Sequence, residues 1–204
     1  MIPFIREIPH GHVIDGDKCR SIIDAKFQVL EHLDSFLVYG GAVRDTLAGL
    51  PIGGDLDLVV PSRLDAAKTQ TALIKSGYVV VERKNGYGHF MDHCIVRVIT
   101  AVNEEQCKVQ IIEMGSWPMV IALIRTSDLV CCGVFLTKDR NAMEAIPNAA
   151  SDCRKRTLQL NTFYGKNSTN KKNLFERVDK LEKRGWHRSP ELTRLMSKIN
   201  KHAQ

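Results

Sequence analysis

Two aspartates, Asp55 and Asp57, stand one residue apart in the run Asp55-Leu56-Asp57-Leu58-Val59-Val60. Alternate residues of a strand share a face, so both carboxylates are expected on one side while Leu56 and Leu58 enter a core. Paired hard oxygen donors suit Mg2+ or Mn2+, which take one or two protein carboxylates and complete their shell with water and substrate phosphates. Upstream, Gly40 and Gly41 separate the apolar run 36–39 from a short helical pattern beginning at Ala42. Glycines where a strand gives way to a helix let backbone N–H groups approach an anion, and a triphosphate is the guest such a turn suits. Glycine turn and aspartate pair together support phosphoryl or nucleotidyl transfer. Each half also has a plainer reading, as an ordinary turn and as a solvated turn or helix cap. Their order, with Arg44 and Asp45 between them, is what sets the pattern apart.

The elements that must position these groups are legible from periodicity. A helix is expected from Asp17 or Lys18 to Leu33, then a strand over 36–39, a short helix over 42–48 stopped by Gly49, and a strand carrying the aspartates. Ser62 with Asp65 opens a helix that runs to Ser76 and stops at Gly77. Strands follow over 78–82, 94–100 and 107–112, then a short helix over 115–123 and a small apolar stretch over 130–136. The spacing predicts an α+β fold, with a mixed sheet of about five strands and helices on one side of it. The strand that begins at 107 carries neutral Gln110 in its middle and Glu113 at its end, where the side chain reads as an exposed strand-end residue. His89, Asp92 and His93 lie in a polar loop, where the readings are solvated side chains, a metal site, or a loop that approaches an incoming nucleotide.

Composition is that of a globular protein, with 44% hydrophobic and 25% charged residues. No apolar run is long enough to span a bilayer and the N-terminus lacks a signal-like core, so a cytoplasmic protein is expected. Six cysteines show no metal-like spacing, and Cys19, Cys94, Cys107 and Cys131 sit within apolar patterns as buried thiols do. Charge is lopsided: residues 151–204 hold 14 of the 29 Lys and Arg and 5 of the 23 Asp and Glu. We therefore divide the chain into a catalytic domain, residues 1–150, and a basic helical appendage, residues 151–204. Within the appendage an amphipathic helix over 171–184 carries Lys172, Arg177, Lys180, Lys183 and Arg184, with Trp186 beside it. That basic face is either a solvated surface or a contact for RNA phosphates.

The pattern G-G-A-V-R-D at 40–45, Leu47, Gly49 and D-L-D-L-V at 55–59 resembles the head-domain signature of the CCA-adding enzyme and bacterial poly(A) polymerase group of the polymerase β nucleotidyltransferase superfamily. The resemblance implies that Asp55 and Asp57 hold two Mg2+ ions, with Glu113 as a candidate third ligand. It implies that Gly40 and Gly41 cradle the triphosphate, that Arg44 contacts phosphate or supports the loop, and that Asp45 is structural. Arg125 and Asp128 fall where the family's R-R-D-F-T-I-N segment would approach the nucleotide, although only one arginine is kept and Cys132 or Gly133 replaces the asparagine. The implied reaction joins a nucleoside monophosphate from an NTP to an RNA 3′ end, with tRNA as the acceptor the resemblance suggests, and releases pyrophosphate. A toxin-like transferase acting on a protein or blocking a tRNA is a second reading, and a non-catalytic nucleotide- or RNA-binding module a third. The family's E-D-x-x-R element and long tRNA-binding body are not found in the sequence.

Overall fold

In the computed structural model, the described residues are 6–7, 16–33, 35–53, 55–85, 95–137, 142–162 and 171–201. His89, Asp92 and His93 lie outside them. The elements run β1 (Arg6–Glu7), α1 (Gly16–Lys26), β2 (Leu37–Tyr39), α2 (Gly41–Leu47), β3 (Leu56–Val60), α3 (Arg63–Lys75), β4 (Val79–Asn85), β5 (Ile95–Val102) and β6 (Lys108–Met114). They continue with α4 (Trp117–Arg125), β7 (Val134–Thr137), β8 (Ala142–Glu144), α5 (Ala149–Lys155), β9 (Thr157–Leu158), α6 (Lys171–Glu182), β10 (His187–Arg188) and α7 (Pro190–Lys201).

Eight strands form one mixed sheet in the order β1-β8-β7-β2-β3-β6-β5-β4. This exceeds the expected five because β1, β7 and β8 extend the sheet beyond β2. Segments of two to four residues are too short to show a period of two, which is why the sequence hides them. Among the described strands of this sheet only the central pair β3 and β6 is parallel, and its register sets Asp57 beside Gln110 and Val60 beside Glu113. On the other side of β3, antiparallel β2 sets Tyr39 beside Asp57.

The sheet has helices on both faces rather than on one. Leu56, Leu58 and Val60 enter a large core with Ile23, Phe27, Val43 and Leu73, from α1, α2, α3 and their connections. Leu37 and Val59, facing the opposite way by strand alternation, pack with Val120, Ile121 and Ile124 of α4. The expected single first helix is broken at Phe27, whose backbone departs from helical angles at φ −134°, and a 3-10 turn over Gln28–His32 follows. Ser62 caps α3 by accepting a hydrogen bond from the Asp65 amide, and Gly77 takes φ +85° after its end, as the sequence predicts.

The C-terminal helices are part of the same body. Leu174, Val178 and Leu181 of α6, Trp186, and Leu192 and Met196 of α7 belong to the large core. Each fully buried aliphatic side chain of this size contributes about 1.5–3 kcal/mol, so α6 is anchored rather than appended. A division between residues 150 and 151 would cut α5, whose Ala149, Ala150 and Cys153 are all buried in that core. No helix among the described residues is long and apolar enough to cross a membrane.

Candidate active site

The sheet register builds a cleft at one end of β3. Gly40 sits at φ +76°, ψ −134°, a backbone conformation open to glycine and strained for other residues. A Cβ there would come within 2.8 Å of Asp57 Oδ2. The glycine is thus required twice, by its backbone angles and by the carboxylate packed against it. Gly41 opens α2 directly beside this contact.

Asp57 lies within β3 and Asp55 just before it, both on the α4 side of the sheet. Burial, reinforced by the charge of Asp55, pushes the Asp57 carboxyl up to about 7 against the opposing pull of Lys108, Arg44 and Arg177. A carboxylate pair this reluctant to carry both charges favours a cation between its members. Lys108 Nζ already lies 2.7 Å from Asp55 Oδ2. The donors fit a hard divalent ion: two carboxylates, open toward a cleft, leaving most of an octahedral shell for water and phosphate oxygens. Among the described residues no group of three or more His, Cys, Asp or Glu side chains could hold a metal, so the pair is the candidate set.

Glu113 does not join it. Its register partner is Val60, on the opposite face and three positions along the strand from the Asp57 level, roughly 10 Å away by strand rise. It is buried and bonded instead to Arg97, at 2.6 Å and 2.9 Å. A buried carboxylate needs a partner, and Arg97 supplies it; the expected third ligand is withdrawn. The position beside Asp57 belongs to neutral Gln110.

The cleft has a volume of about 470 Å³. One wall is Tyr39, Gly40, Gly41 and the two aspartates; the other is α6 with its C-terminal extension, presenting Asn173, Glu176, Arg177, Lys180 and Arg184. Asn173, Arg177, Lys180 and Arg184 recur at helical spacing, forming a stripe next to the buried Leu174, Val178 and Leu181. Burying one stripe therefore turns the other into the cleft. The expected RNA-binding set is split by this geometry. Arg177, Lys180 and Arg184 face the cleft, Lys183 is exposed outside its wall, and the side chain of Lys172 lies outside the described residues. Trp186, expected beside an RNA-contacting surface, is 2% exposed and serves the core.

Two ion pairs hold α6 and its extension across the cleft. Arg177 Nη1 reaches buried Asp128 at 2.6 Å, and Arg184 Nη1 reaches buried Asp45 at 2.7 Å. Arg184 Nη2 also bonds the Pro51 carbonyl at 2.8 Å, and a Cβ on Gly53 would crowd that nitrogen at 3.1 Å. Asp45 is a structural hub, since Arg44 also binds it at 2.9 Å. Arg44 itself is buried, with Trp186 5.8 Å from its guanidinium carbon, yet still lines the cleft. Asp128 accepts from the Leu129 amide at 2.8 Å and acts through Arg177 rather than from the cleft wall. Arg125, at the exposed end of α4, is likewise outside the wall formed by the described residues.

Sequence reasoning missed Tyr39, Lys108, Asn173 and Glu176. Tyr39 bonds Ser127 Oγ through its hydroxyl at 2.5 Å, and its place directly before Gly40 was the available signal. Cys132, noted only as a replacement, lines the cleft with Arg44 Nη1 3.7 Å from its sulfur. A hydrogen bond with Cys131 holds the Cys132 thiol below its usual range against burial, with Arg44 and Arg177 assisting and Asp128 opposing. Gly133 is a packing residue: a Cβ there would strike Ile146 at 2.5 Å.

No family model matches the sequence, and no curated protein matches it. Solved structures do. A CCA-adding enzyme with CTP superposes at a TM-score of 0.67 and 14% identity, over 98% of this chain and 47% of that one. A CCA-adding enzyme with ATP gives 0.62 and 13%, over 98% and 47%. The Thermotoga maritima CCA-adding enzyme complexed with tRNA gives 0.61 and 15%, over 96% and 45%. The chain thus spans about half the length of these structures, and the match runs through its C-terminal helices as well as its sheet. By architecture the chain has the fold of the matched half of these CCA-adding enzyme structures.

Proposed function

We propose that the protein is a metal-dependent nucleotidyltransferase that moves a nucleoside monophosphate from an NTP to the 3′-hydroxyl of an RNA, with tRNA as the first acceptor to test. The observation that carries this reading is the convergence of the Gly40–Gly41 turn, the Asp55 and Asp57 carboxylates and the basic stripe of α6 on one cleft of about 470 Å³. The volume suits a nucleotide, and the fold is one in which solved relatives are seen with CTP, ATP and tRNA.

In this reading the amides at the glycine turn and the side chains of Arg177, Lys180 and Arg184 bind the phosphates from opposite walls. Asp55 and Asp57 would hold Mg2+ or Mn2+, which supplies Lewis-acid stabilisation of charge on the attacking and leaving oxygens. Tyr39 and the α6 stripe enclose the nucleotide and limit water at the α-phosphate. Holding donor and acceptor in line accounts for most of the rate such a site can deliver, so no dedicated side-chain base is invoked.

The test is incubation with each labelled NTP, Mg2+ and an RNA pool that includes tRNAs with trimmed 3′ ends. Wild-type protein is expected to label RNA, and the Asp55→Ala, Asp57→Ala variant to lose at least about 10³-fold of that activity while staying folded. Full activity in the double variant would sink the assignment. One observation favours a second reading, a nucleotide-binding module without transfer activity: Gln110 stands beside Asp57 and Lys108 pairs with Asp55. Nucleotide binding by calorimetry without label on any RNA or protein would select it.

A further inference from the structure

The aspartate pair has two unlike flanks. On the β2 side lies the glycine turn; on the β6 side lie Lys108 and Gln110. The parallel register pairs Leu56 with Val109 and Asp57 with Gln110, so Lys108, which opens β6, falls level with Asp55 on the same face. Its ammonium closes on Asp55 Oδ2 at 2.7 Å. Both side chains are partly open to solvent, at 38% and 37%, so the pair can exchange partners without a buried charge being stranded.

Two carboxylates one residue apart on a strand repel each other and would not hold a common pose unaided. Lys108 offsets that repulsion in the metal-free protein. A divalent ion held by the pair would bring a second cation to the Asp55 carboxylate that the ammonium already pairs with, and two cations at one carboxylate repel each other. Resting on the metal assignment proposed above, we infer that Lys108 is an exchangeable counter-cation: it holds the Asp55 carboxylate in place before metal arrives, and a divalent ion entering the aspartate pair displaces it. Metal loading is therefore an ion exchange at Asp55, and Lys108 sets the divalent concentration at which the site fills.

The experiment follows Lys108 directly. Reductive methylation with 13C-formaldehyde preserves lysine charge, and the Lys108 signal is assigned by its loss in Lys108→Arg. Titration of the folded protein with Mg2+ is expected to move the Lys108 signal saturably, and Asp55→Asn to abolish that movement. In parallel, free Mn2+ measured by electron paramagnetic resonance is expected to report about fivefold tighter binding in Lys108→Met, the worth of one partly exposed ion pair. Lys108→Arg, which offers the same carboxylate a two-pronged partner, is expected not to tighten it. Mg2+ binding that depends on Asp55 and Asp57 but leaves the Lys108 signal unmoved would overturn the exchange alone. Absence of any divalent binding that depends on the two aspartates would overturn the exchange and the metal assignment together. The signal from wild-type protein decides the matter even if Lys108→Met fails to fold.

Discussion

The two walls of the cleft are built in different ways. The stretch from β2 to β3 makes its wall locally: a three-residue strand, a glycine at φ +76°, a seven-residue helix and a returning strand bring Gly40 against Asp57. The facing wall, α6 with its extension, owes its orientation to partners far away in sequence. Arg177 pairs with Asp128, 49 residues earlier, and Arg184 with Asp45, 139 residues earlier. A locally made wall is robust to most changes except at its glycine and carboxylates. A wall docked from a distance depends on its anchors, and its exposed charges divide into those that face the cleft and those that do not.

The comparison can be broken most severely at Gly40. Gly40→Ala forces a side chain into an unfavourable backbone region and against Asp57, at a cost of about 1–3 kcal/mol in strain alone. Activity is expected to fall at least about 100-fold, with a lower melting temperature and with Gly49→Ala as a milder control, which shares the backbone strain of a positive φ, +64°, but whose Cβ has nothing within 4 Å. On the docked wall, Lys180→Glu is expected to weaken NTP binding about tenfold or more, as a like charge replaces a favourable one beside phosphate. Lys183→Glu, three residues on but outside the cleft, is expected to leave NTP affinity within about twofold. Equal losses from both, by calorimetry, would return the basic stripe to a diffuse surface role.

A smaller effect on nucleotide binding is expected at the anchor. Arg184→Met removes the bonds to Asp45 and Pro51 while Arg44 still serves Asp45. Urea denaturation should register about 1.5–3 kcal/mol, the range for bonds to a charged group, together with loosened nucleotide binding. The smallest lies in α5, between the two regions. Burial pushes Asp152 from its ordinary 3.8 up to about 6, with Glu144 adding to the shift and Lys155 opposing it, and its Oδ2 is buried without a partner. Its folded state favours the proton, so the charge costs stability above about pH 6 and nothing below about pH 4. Asp152→Asn should therefore raise the melting temperature at pH 7.5 and make no difference at pH 3.5 if the protein is still folded there; a gain that grows toward acid would reverse the assignment.

The first wall was legible because its chemistry follows local rules. A Gly-Gly turn, a short helix and alternation along a strand place Gly40, Gly41, Asp55 and Asp57 together without knowledge of anything else. Glu113 shows the limit of that reasoning. Its strand was identified correctly, but its face and level depend on the register against β3, which side-chain pattern alone does not give. Trp186 and the basic residues of α6 show a second limit. Amphipathic spacing marks a buried stripe, yet it does not say whether the adjoining charges meet solvent or another wall of the same molecule.

The sequence by itself determined the strand, turn, helix and strand that carry the aspartates, because each step depends on neighbours within a few residues and on backbone sterics. It also determined that α6 has one apolar face, because helical periodicity is local. Tertiary structure alone decided that the other face closes the cleft, that Lys108 rather than Glu113 meets the aspartate pair, and that three very short strands extend the sheet. Those outcomes depend on register and on charge pairs between distant residues, where the free energy belongs to contacts that exist only once the chain has folded.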